Sequence, residues 1–212
     1  MSSRPGHVIV LGLVGGVAAG KSALAAELER LGADRIDADA VAHEVLGIPE
    51  IVETLAKRFG REILGPDGRI DRPALGRVVF ADEKGLAFLE STVHPRVRRR
   101  LERRLSAVAP GSIVVLDAPL LVENGLDAIC DVVVMIEAGA ANRERRAVEY
   151  RKWRTGEVAR RERHQVSLEA KRRRADVTIE NDGSLEDLRR EVETLWKRLR
   201  ARPGPGREPT EA

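Results

Sequence analysis

VIVLGLVGGVAAGKS, residues 8–22, is the stretch that decides the fold of this 212-residue chain. Residues 8–14 are an apolar run of strand length, and the sequence ALAAELERL, residues 23–31, follows as a good helix former. Between them, Gly15, four further residues and Gly20-Lys21-Ser22 have the spacing of a phosphate-binding loop. Because a strand and a helix flank the loop as this motif requires, the spacing predicts a nucleoside-triphosphate site and not a chance glycine-rich turn.

The residue types in this loop follow from what a phosphate group needs. Glycines allow the backbone to curl until several N–H groups point at phosphate oxygens, and the helix that begins near Lys21 adds the positive end of its dipole. Lys21 can reach the β- and γ-phosphates, and the Ser22 hydroxyl can bind Mg²⁺. The residues of the loop that we expect to contact the nucleotide are Gly15, Gly16, Ala18, Ala19, Gly20, Lys21 and Ser22.

Composition and charge argue against several other classes of protein. The net charge is only +3 and aromatic residues make up 3%, which is little for a nucleic-acid-binding surface. No apolar run reaches the length of a membrane span, and the six residues before the first strand are too few for a secretory signal. Cys130 is the single cysteine, so we expect no disulfide, no zinc site and a cytoplasmic location. Residues 201–212 are expected to be disordered, and nothing in the sequence indicates an oligomeric state.

Three carboxylates follow two of the predicted strands. Residues 33–36 form a short strand that leads into Asp37 and Asp39, and residues 112–116 form a continuous apolar strand that ends in Asp117. The carboxyl ends of parallel strands meet at the ligand crevice, where the phosphate loop also lies. Asp117 is therefore predicted to support Mg²⁺. Asp37 and Asp39 either align a hydroxyl nucleophile or bind Mg²⁺, or they cap the next helix, and spacing alone does not separate these roles.

A helical insertion is predicted over residues 40–107, with a helix break at His94-Pro95. Beyond this break, Val97, Leu101 and Leu105 recur every four residues among arginines. This spacing indicates one buried stripe, so most of those arginines are predicted to form a solvated face. His94 lies at the predicted break, where it is either structural or turned toward a cleft.

The basic segment, residues 142–174, admits three interpretations. Acidic residues at helical spacing favour a solvated helical face, and a nucleic-acid patch is disfavoured because aromatic residues are few. The third interpretation is a lid of paired helices that turns near Thr155-Gly156 and places an arginine on the transferring phosphoryl group. Since the chain has a phosphate loop, we expect a lid in which Arg151 or Arg143 acts, while the other charges remain solvated.

The remaining elements complete an α/β fold. Residues 131–136 and 175–179 are predicted strands, and residues 185–199 are predicted to form an amphipathic closing helix. The predicted nucleotide-binding core comprises residues 7–39, 111–141 and 175–200.

Over nearly its whole length, the chain resembles the dephospho-coenzyme A kinases. The phosphate loop is common to many kinases, but Asp-Ala-Asp at residues 37–39, His94-Pro95 and Pro-Leu-Leu-x-Glu at residues 119–123 are specific, and they occur in this order. Further matching stretches are residues 70–76, Gln165 with Lys171-Arg172, and residues 175–176 with 179–183.

This resemblance implies a P-loop NTPase three-layer fold with a five-stranded parallel sheet, a helical substrate-binding insertion and a helical lid. It also implies transfer of the γ-phosphoryl group of ATP to the 3′-hydroxyl of dephospho-coenzyme A, the last step of coenzyme A synthesis. Asp39 would orient or deprotonate that hydroxyl. The residues implied to bind the acceptor are His94, Pro119, Leu120 and Glu123, and those implied to lie near adenine are Asn181 and Gly183.

Three features depart from the family pattern. Ala23 stands where the family usually has Thr, so only its backbone N–H remains to contact the α-phosphate. The stretch after the Asp-Ala-Asp helix is shortened to residues 46–49. Asn142-Arg143 replaces a commoner Gln-x-x-Arg arrangement, which leaves the choice between Arg143 and Arg151 open. The competing class is another P-loop small-molecule or nucleoside monophosphate kinase, whereas a GTPase would need a base-reading Asn-Lys-x-Asp motif that the sequence lacks.

Overall fold

Five parallel strands form one sheet in the computed structural model, which describes residues 7–79, 81 and 83–201. The predicted disordered tail, apart from Ala201, lies outside these residues. The strand order is β2-β3-β1-β4-β5, so that the α/β class and the five-stranded parallel sheet are confirmed. The strands are β1 (Ile9–Gly15), β2 (Asp34–Asp37), β3 (Ile113–Asp117), β4 (Val132–Glu137) and β5 (Val177–Glu180).

Strand β1 lies in the middle of the sheet and carries the phosphate loop at its end. It pairs with β3, where Ile9 is opposite Ile113, and with β4, where Leu11 is opposite Val132. All residues from 10 to 19 are buried. Strands β3 and β4 are nearly continuous apolar runs because a parallel strand in this position is covered on both faces.

The first of two compact units contains the described residues up to Ile36 and from Ala107 onward. Helices α1 and α9 pack on one face of its sheet, where Leu24, Leu28 and Val192 are buried. On the other face, a Cβ added to Gly12 would lie 2.6 Å from Leu121, and α8 contacts β1 and β4. The unit therefore has three layers. Its helices are α1 (Lys21–Arg30), α6 (Ala140–Arg151), α7 (Glu157–Glu162), α8 (Leu168–Arg174) and α9 (Leu185–Arg200).

The second compact unit, Asp37–Ser106, is mainly helical. Pro49 occupies the first turn of α3, where its missing N–H costs nothing, and Gly60 follows its last residue with a positive φ of 88°. Ile51 and Leu55 are fully buried on one face of this helix. The helices of the unit are α2 (Ala38–Leu46), α3 (Pro49–Phe59), α4 (Arg72–Val79) and α5 (Glu83–Ser106).

Helix α5 contradicts the predicted break at His94-Pro95, because it runs through Pro95 for 24 residues. A proline inside a helix removes one backbone hydrogen bond and crowds the preceding turn. In that turn, the Arg96 guanidinium donates to the Thr92 carbonyl at 2.7 Å, and buried residues lie on either side of the proline. The packing of a long helix therefore outweighs one missing bond, and His94 lies half-buried in mid-helix.

The basic segment forms three helical pieces, α6, α7 and α8, instead of the expected pair. The chain turns between α6 and α7, with positive φ angles at Lys152 (57°) and Gly156 (88°). Ser167 begins α8, and its side chain accepts a hydrogen bond from the Ala170 N–H. None of the helices among the described residues is long and apolar enough to cross a membrane.

Candidate active site

The phosphate loop follows β1 in a conformation that requires its glycines. The φ angle of Gly20 is 114°, and a Cβ at this position would collide with the Asn181 side chain. A Cβ on Gly15 would likewise collide with the Ile136 carbonyl. Ala18 adopts a left-handed φ of 60° without being glycine, a conformation that costs about 1 kcal/mol or more. The backbone of the loop is therefore held by its surroundings.

Lys21 is the first residue of α1, and its ammonium group folds back over the loop. Its Nζ donates to the carbonyls of Gly15 at 2.9 Å and Gly16 at 3.1 Å. Burial lowers the pKa of Lys21 from 10.5 to about 8, and the nearby charges of Lys171 and Arg151 act in the same direction. An anion bound at this position would relieve that unfavourable environment.

A cavity of about 410 Å³ lies above the loop. Residues 16–22 form part of its wall, together with Asp117 and Pro119. Its other lining residues come from the basic segment and are Arg151, Trp153, Arg161, His164 and Gln165. Cationic side chains thus line a cavity that also adjoins the phosphate loop and the first turn of α1, an arrangement that suits a polyphosphate.

Oxygen ligands for a cation are present at the same cavity. Ser22 is exposed in the first turn of α1, and Asp117 is the last residue of β3. The Asp117 carboxylate is paired with the Arg35 guanidinium through one oxygen, Oδ2. No cluster of three or more His, Cys, Asp or Glu side chains that could bind a metal occurs in the described part of the chain.

The Ala19 carbonyl is held by two side chains from distant parts of the chain. Asn181 donates to it through Nδ2 at 2.8 Å, and Arg146 donates through Nη1 at 3.3 Å. Arg146 also donates to the Asn181 carbonyl at 2.6 Å. Asn181 is buried, so its amide supports the phosphate loop from below.

The first half of the loop is held by an ion pair between α6 and α7. Glu162 accepts a hydrogen bond from the Val17 N–H at 2.9 Å and pairs with Arg143, whose Nε donates to the Ala138 carbonyl at 3.1 Å. Arg143 is only 7% exposed. A Cβ on Gly16 would lie 2.9 Å from Arg143 and 3.0 Å from Glu162, so the ion pair packs closely against the loop at this position. Arg143 thus pairs with Glu162, which holds the loop, and it is not one of the residues that line the cavity.

Arg151, by contrast, lines the cavity directly. Its guanidinium carbon lies 4.9 Å from the centre of the Trp153 ring, and that of Arg161 lies 4.0 Å from the same centre. The structure therefore separates the two arginines between which the sequence left the choice open.

A largely buried polar cluster forms around Glu123 and Lys171. Glu123 accepts from the Val166 N–H at 3.1 Å and pairs with Lys171 at 3.2 Å, and Lys171 donates to Gln165 at 2.7 Å. The Lys171 side chain is 3% exposed. The second carboxylate oxygen of Glu123, Oε2, is buried and has no hydrogen-bond partner among the described residues. Leu120, in the same loop, is 38% exposed.

The segment predicted to lie near adenine follows β5. The Asp182 carboxylate accepts a hydrogen bond from the Gly139 N–H at 2.7 Å and another from the Asn142 side-chain amide at 2.8 Å. The hydrogen bond from Asn142 is the main reason that the pKa of Asp182 lies below its usual value. A Cβ on Gly183 would lie 2.7 Å from Asp187, so the Asp187 side chain packs closely against this turn. Asp182 and Asp187 therefore stabilise the backbone around this turn.

In the second unit, the two candidate carboxylates differ in position. Asp37 is the N-cap of α2, and its side chain accepts from the Ala40 N–H at 2.9 Å. Asp39 lies in the first turn of the helix. The capping role that the sequence allowed for either residue thus belongs to Asp37.

Sequence reasoning assigned no role to several residues at the cavity or beneath the loop. Charges at helical spacing made the arginines and Glu162 look like a solvated face, and one sequence contains no signal that would have separated them. Trp153 is an exception, because a tryptophan within a basic segment is conspicuous in a chain with 3% aromatic residues. The residues concerned are Arg146, Trp153, Arg161, Glu162, His164 and Gln165.

A phosphate loop at the end of the central parallel strand, a carboxylate on the neighbouring strand and cations above the loop define a P-loop kinase. A family model described as dephospho-CoA kinase matches residues 9–187. The dephospho-CoA kinase of Thermobifida fusca (strain YX) is 41% identical over 197 residues, which are 92% of this chain and 98% of that protein.

Two solved structures share the fold of this chain. The crystal structure of TT1252 from Thermus thermophilus has a TM-score of 0.78 at 38% identity and covers 91% of this chain and 98% of its own. A dephospho-CoA kinase from Campylobacter jejuni shares the fold, with a TM-score of 0.60 at 24% identity over 91% of this chain and 97% of its own.

The chain belongs to the dephospho-CoA kinase family. It is therefore a kinase that uses ATP, and the reaction expected from the resemblance, phosphorylation of dephospho-CoA in the final step of coenzyme A biosynthesis, is confirmed. The competing class of another small-molecule or nucleoside monophosphate kinase is not favoured.

Proposed function

We propose that the triphosphate of ATP binds over residues 16–22 and that its γ-phosphoryl group passes to the 3′-hydroxyl of dephospho-CoA. The cavity carries this proposal, because residues 16–22, with Lys21 among them, and Arg151 line one space. Lys21 would contact the β- and γ-phosphates in place of the two loop carbonyls. Ala23 would offer its backbone N–H to the α-phosphate, while the base would lie near Asn181 and Gly183.

Mg²⁺ is proposed to bind to Ser22, Asp117 and phosphate oxygens. The donor set fits a hard cation, since both residues offer oxygen, and Asp117 pairs with Arg35 through only one of its two carboxylate oxygens. Magnesium usually binds to one or two protein oxygens together with substrate phosphates and water, which agrees with the small number of ligands. When bound, the ion neutralises charge between the β- and γ-phosphates.

Residues 142–174 are proposed to be the lid, and its ends are the anchored parts. Arg143 and Arg146 tie α6 to the phosphate loop, and Glu123 contacts Val166 and Lys171 at the other end. Trp153 and Val158 also pack with Val17 and Ala18 of the loop, so the part that would close is the exposed turn at residues 154–156. Arg151 is the proposed arginine on the transferring phosphoryl group, whereas Arg143 supports the loop.

The acceptor hydroxyl is proposed to be aligned by Asp39. Asp37 is used as a helix cap, which supports the choice of Asp39 among the two carboxylates. His94, Pro119, Leu120 and Glu123 are proposed to bind the rest of the acceptor. For Glu123, the support is its buried Oε2, which no donor contacts in the part of the chain that the structure describes and which would suit a donor group of the substrate.

The transfer depends mainly on positioning and charge. Negative charge develops on the equatorial oxygens of the phosphoryl group, where Lys21 and Arg151 stabilise it. The hydroxyl proton leaves late, so Asp39 first orients the acceptor oxygen in line and then takes its proton.

The test compares Asp39→Asn with Asp37→Asn. Asparagine keeps size and hydrogen bonding but loses charge and basicity, so kcat with dephospho-CoA should fall by about 10²- to 10⁴-fold in Asp39→Asn. ATP affinity, measured by calorimetry, should stay nearly the same. Asn is as good an N-cap as Asp, so Asp37→Asn should keep nearly full activity. Normal turnover of Asp39→Asn beside an inactive Asp37→Asn would refute the assignment.

A further inference from the structure

Trp153 occupies a central position in the lid that neither the sequence motifs nor the family match explains. It lies in the turn between α6 and α7 and is half-buried. Its ring packs against a small apolar cluster formed by Val17, Ala18, Ala147 and Val158. The indole therefore joins both helices to the phosphate loop and also forms part of the cavity wall.

Two arginines share this ring. The guanidinium carbons of Arg151 and Arg161 lie 4.9 and 4.0 Å from its centre, well within the range of a cation–π interaction. Arg161 also donates through Nε to Glu157 at 2.8 Å. For Arg151, no hydrogen bond or ion pair occurs among the residues that the structure describes, so the indole is the group that holds it.

An aromatic partner has a specific advantage over a carboxylate at this position. A guanidinium that lies over a ring uses its face, which leaves the N–H groups at its edge available to phosphate oxygens. Arg143 shows the alternative, because Glu162 and the Ala138 carbonyl occupy its N–H groups. Lys21 carries a positive charge that disfavours further cations nearby. Only stacking on an aromatic ring keeps a second cation beside Lys21 with its N–H groups ready for an anionic ligand.

We propose that Trp153 is a positioning residue for phosphoryl transfer, which holds Arg151 and Arg161 at the cavity with their N–H groups directed to the triphosphate. This inference rests on the proposed function, since it requires a polyphosphate in the cavity. Trp153 itself takes part in no bond that forms or breaks. It restricts the orientations of the two arginines in advance, so that less conformational entropy is lost when the lid closes.

The first experiment compares Trp153→Leu with Trp153→Phe. Leucine keeps apolar packing but has no aromatic face, so kcat should fall by about three- to thirtyfold with a smaller change in the KM for ATP. Phenylalanine should restore most of the rate. Trp196→Leu is the matched control, because Trp196 is also half-buried and lies 5.1 Å from Arg200, but it belongs to α9 and not to the cavity wall. Equal rates for the Leu and Phe variants of Trp153 would overturn the proposal.

The second experiment works even where Trp153→Leu fails to fold. In Trp196→Phe, Trp153 is the only tryptophan, and adding ATP with Mg²⁺ should change its emission as phosphate oxygens bind the N–H groups of the two guanidiniums over the ring. Emission that stays the same at saturating ATP would overturn the inference. If Lys21→Ala is inactive while Trp153→Leu is normal, only this inference fails. If Lys21→Ala turns over normally, the proposed function itself fails.

Discussion

The phosphate loop, residues 15–22, shapes the cavity mainly through its backbone, whereas the basic segment, residues 142–174, acts through side chains. In the loop, collisions with neighbouring atoms require glycine at positions 15 and 20, so residue spacing nearly determines the geometry. In the basic segment, arginines of the same chemistry have different partners. Arg143 pairs with Glu162 and Arg151 lies over Trp153. Function that depends on the backbone can thus be inferred from spacing, while function that depends on side chains also requires the partner of each residue.

The largest effect is expected from the loop. Lys21→Ala should lower kcat by about 10³-fold or more, because it removes the cation proposed to stabilise the transferring phosphoryl group. Circular dichroism should show an intact fold. Lys197→Ala, on the exposed side of α9, is the control and should behave as the unchanged protein. Near-normal turnover of Lys21→Ala would refute the proposed role of the phosphate loop in catalysis.

The next largest effects are expected at two arginines of the basic segment, one of which should affect the rate and the other the stability. Arg151→Ala should lower kcat by about 10²- to 10³-fold and leave the melting temperature nearly the same. Arg143→Ala should instead destabilise the fold by about 3 kcal/mol, because it leaves the Glu162 carboxylate without its partner. Thermal melts and initial rates on both variants provide the measurement. The reverse pattern would mean that Arg143 is the lid arginine.

The smallest effect concerns pH. Lys21 has a pKa of about 8 in the folded protein, and phosphate oxygens should raise it, so nucleotide binding takes up a proton above pH 8. ATP affinity should therefore fall as the pH rises through 8, by up to about tenfold per unit. The free energy of unfolding of the nucleotide-free protein should instead rise with pH between pH 8 and 10.5. In this range the unfolded chain binds more protons than the folded chain.

Calorimetric titration of ATP at pH 7, 8 and 9, in buffers of different ionisation enthalpy, measures this proton uptake. Lys21→Arg keeps its charge throughout this range, so any affinity that it retains should be nearly independent of pH. An unchanged ATP affinity of the parent protein between pH 7 and 9 would contradict the linkage to Lys21.

Much of the fold followed from patterns whose physical cause is local. Apolar runs at residues 113–116 and 132–136 predicted β3 and β4. The position of Asp117 at the cavity followed from the rule that ligands bind at the carboxyl ends of parallel strands. The break at Pro95 was wrong because the preference of a single residue was outweighed by the packing of α5 around it. The roles of Arg143 and Glu162 depended on a contact between residues 19 positions apart on separate helices, which spacing does not determine.

The hydrogen bonds to the Ala19 carbonyl have a consequence for synthesis of the chain on the ribosome. Its partners Arg146 and Asn181 lie 127 and 162 positions further along, and β1 lacks both strand neighbours until β3 and β4 have emerged. Contacts between such distant residues form late in folding. A nascent chain with residues 15–22 already outside the ribosome therefore still lacks the supports of its phosphate loop. The proposed ATP site is therefore complete only in the full-length polypeptide, and a chain truncated before β5 should fail to retain the nucleotide.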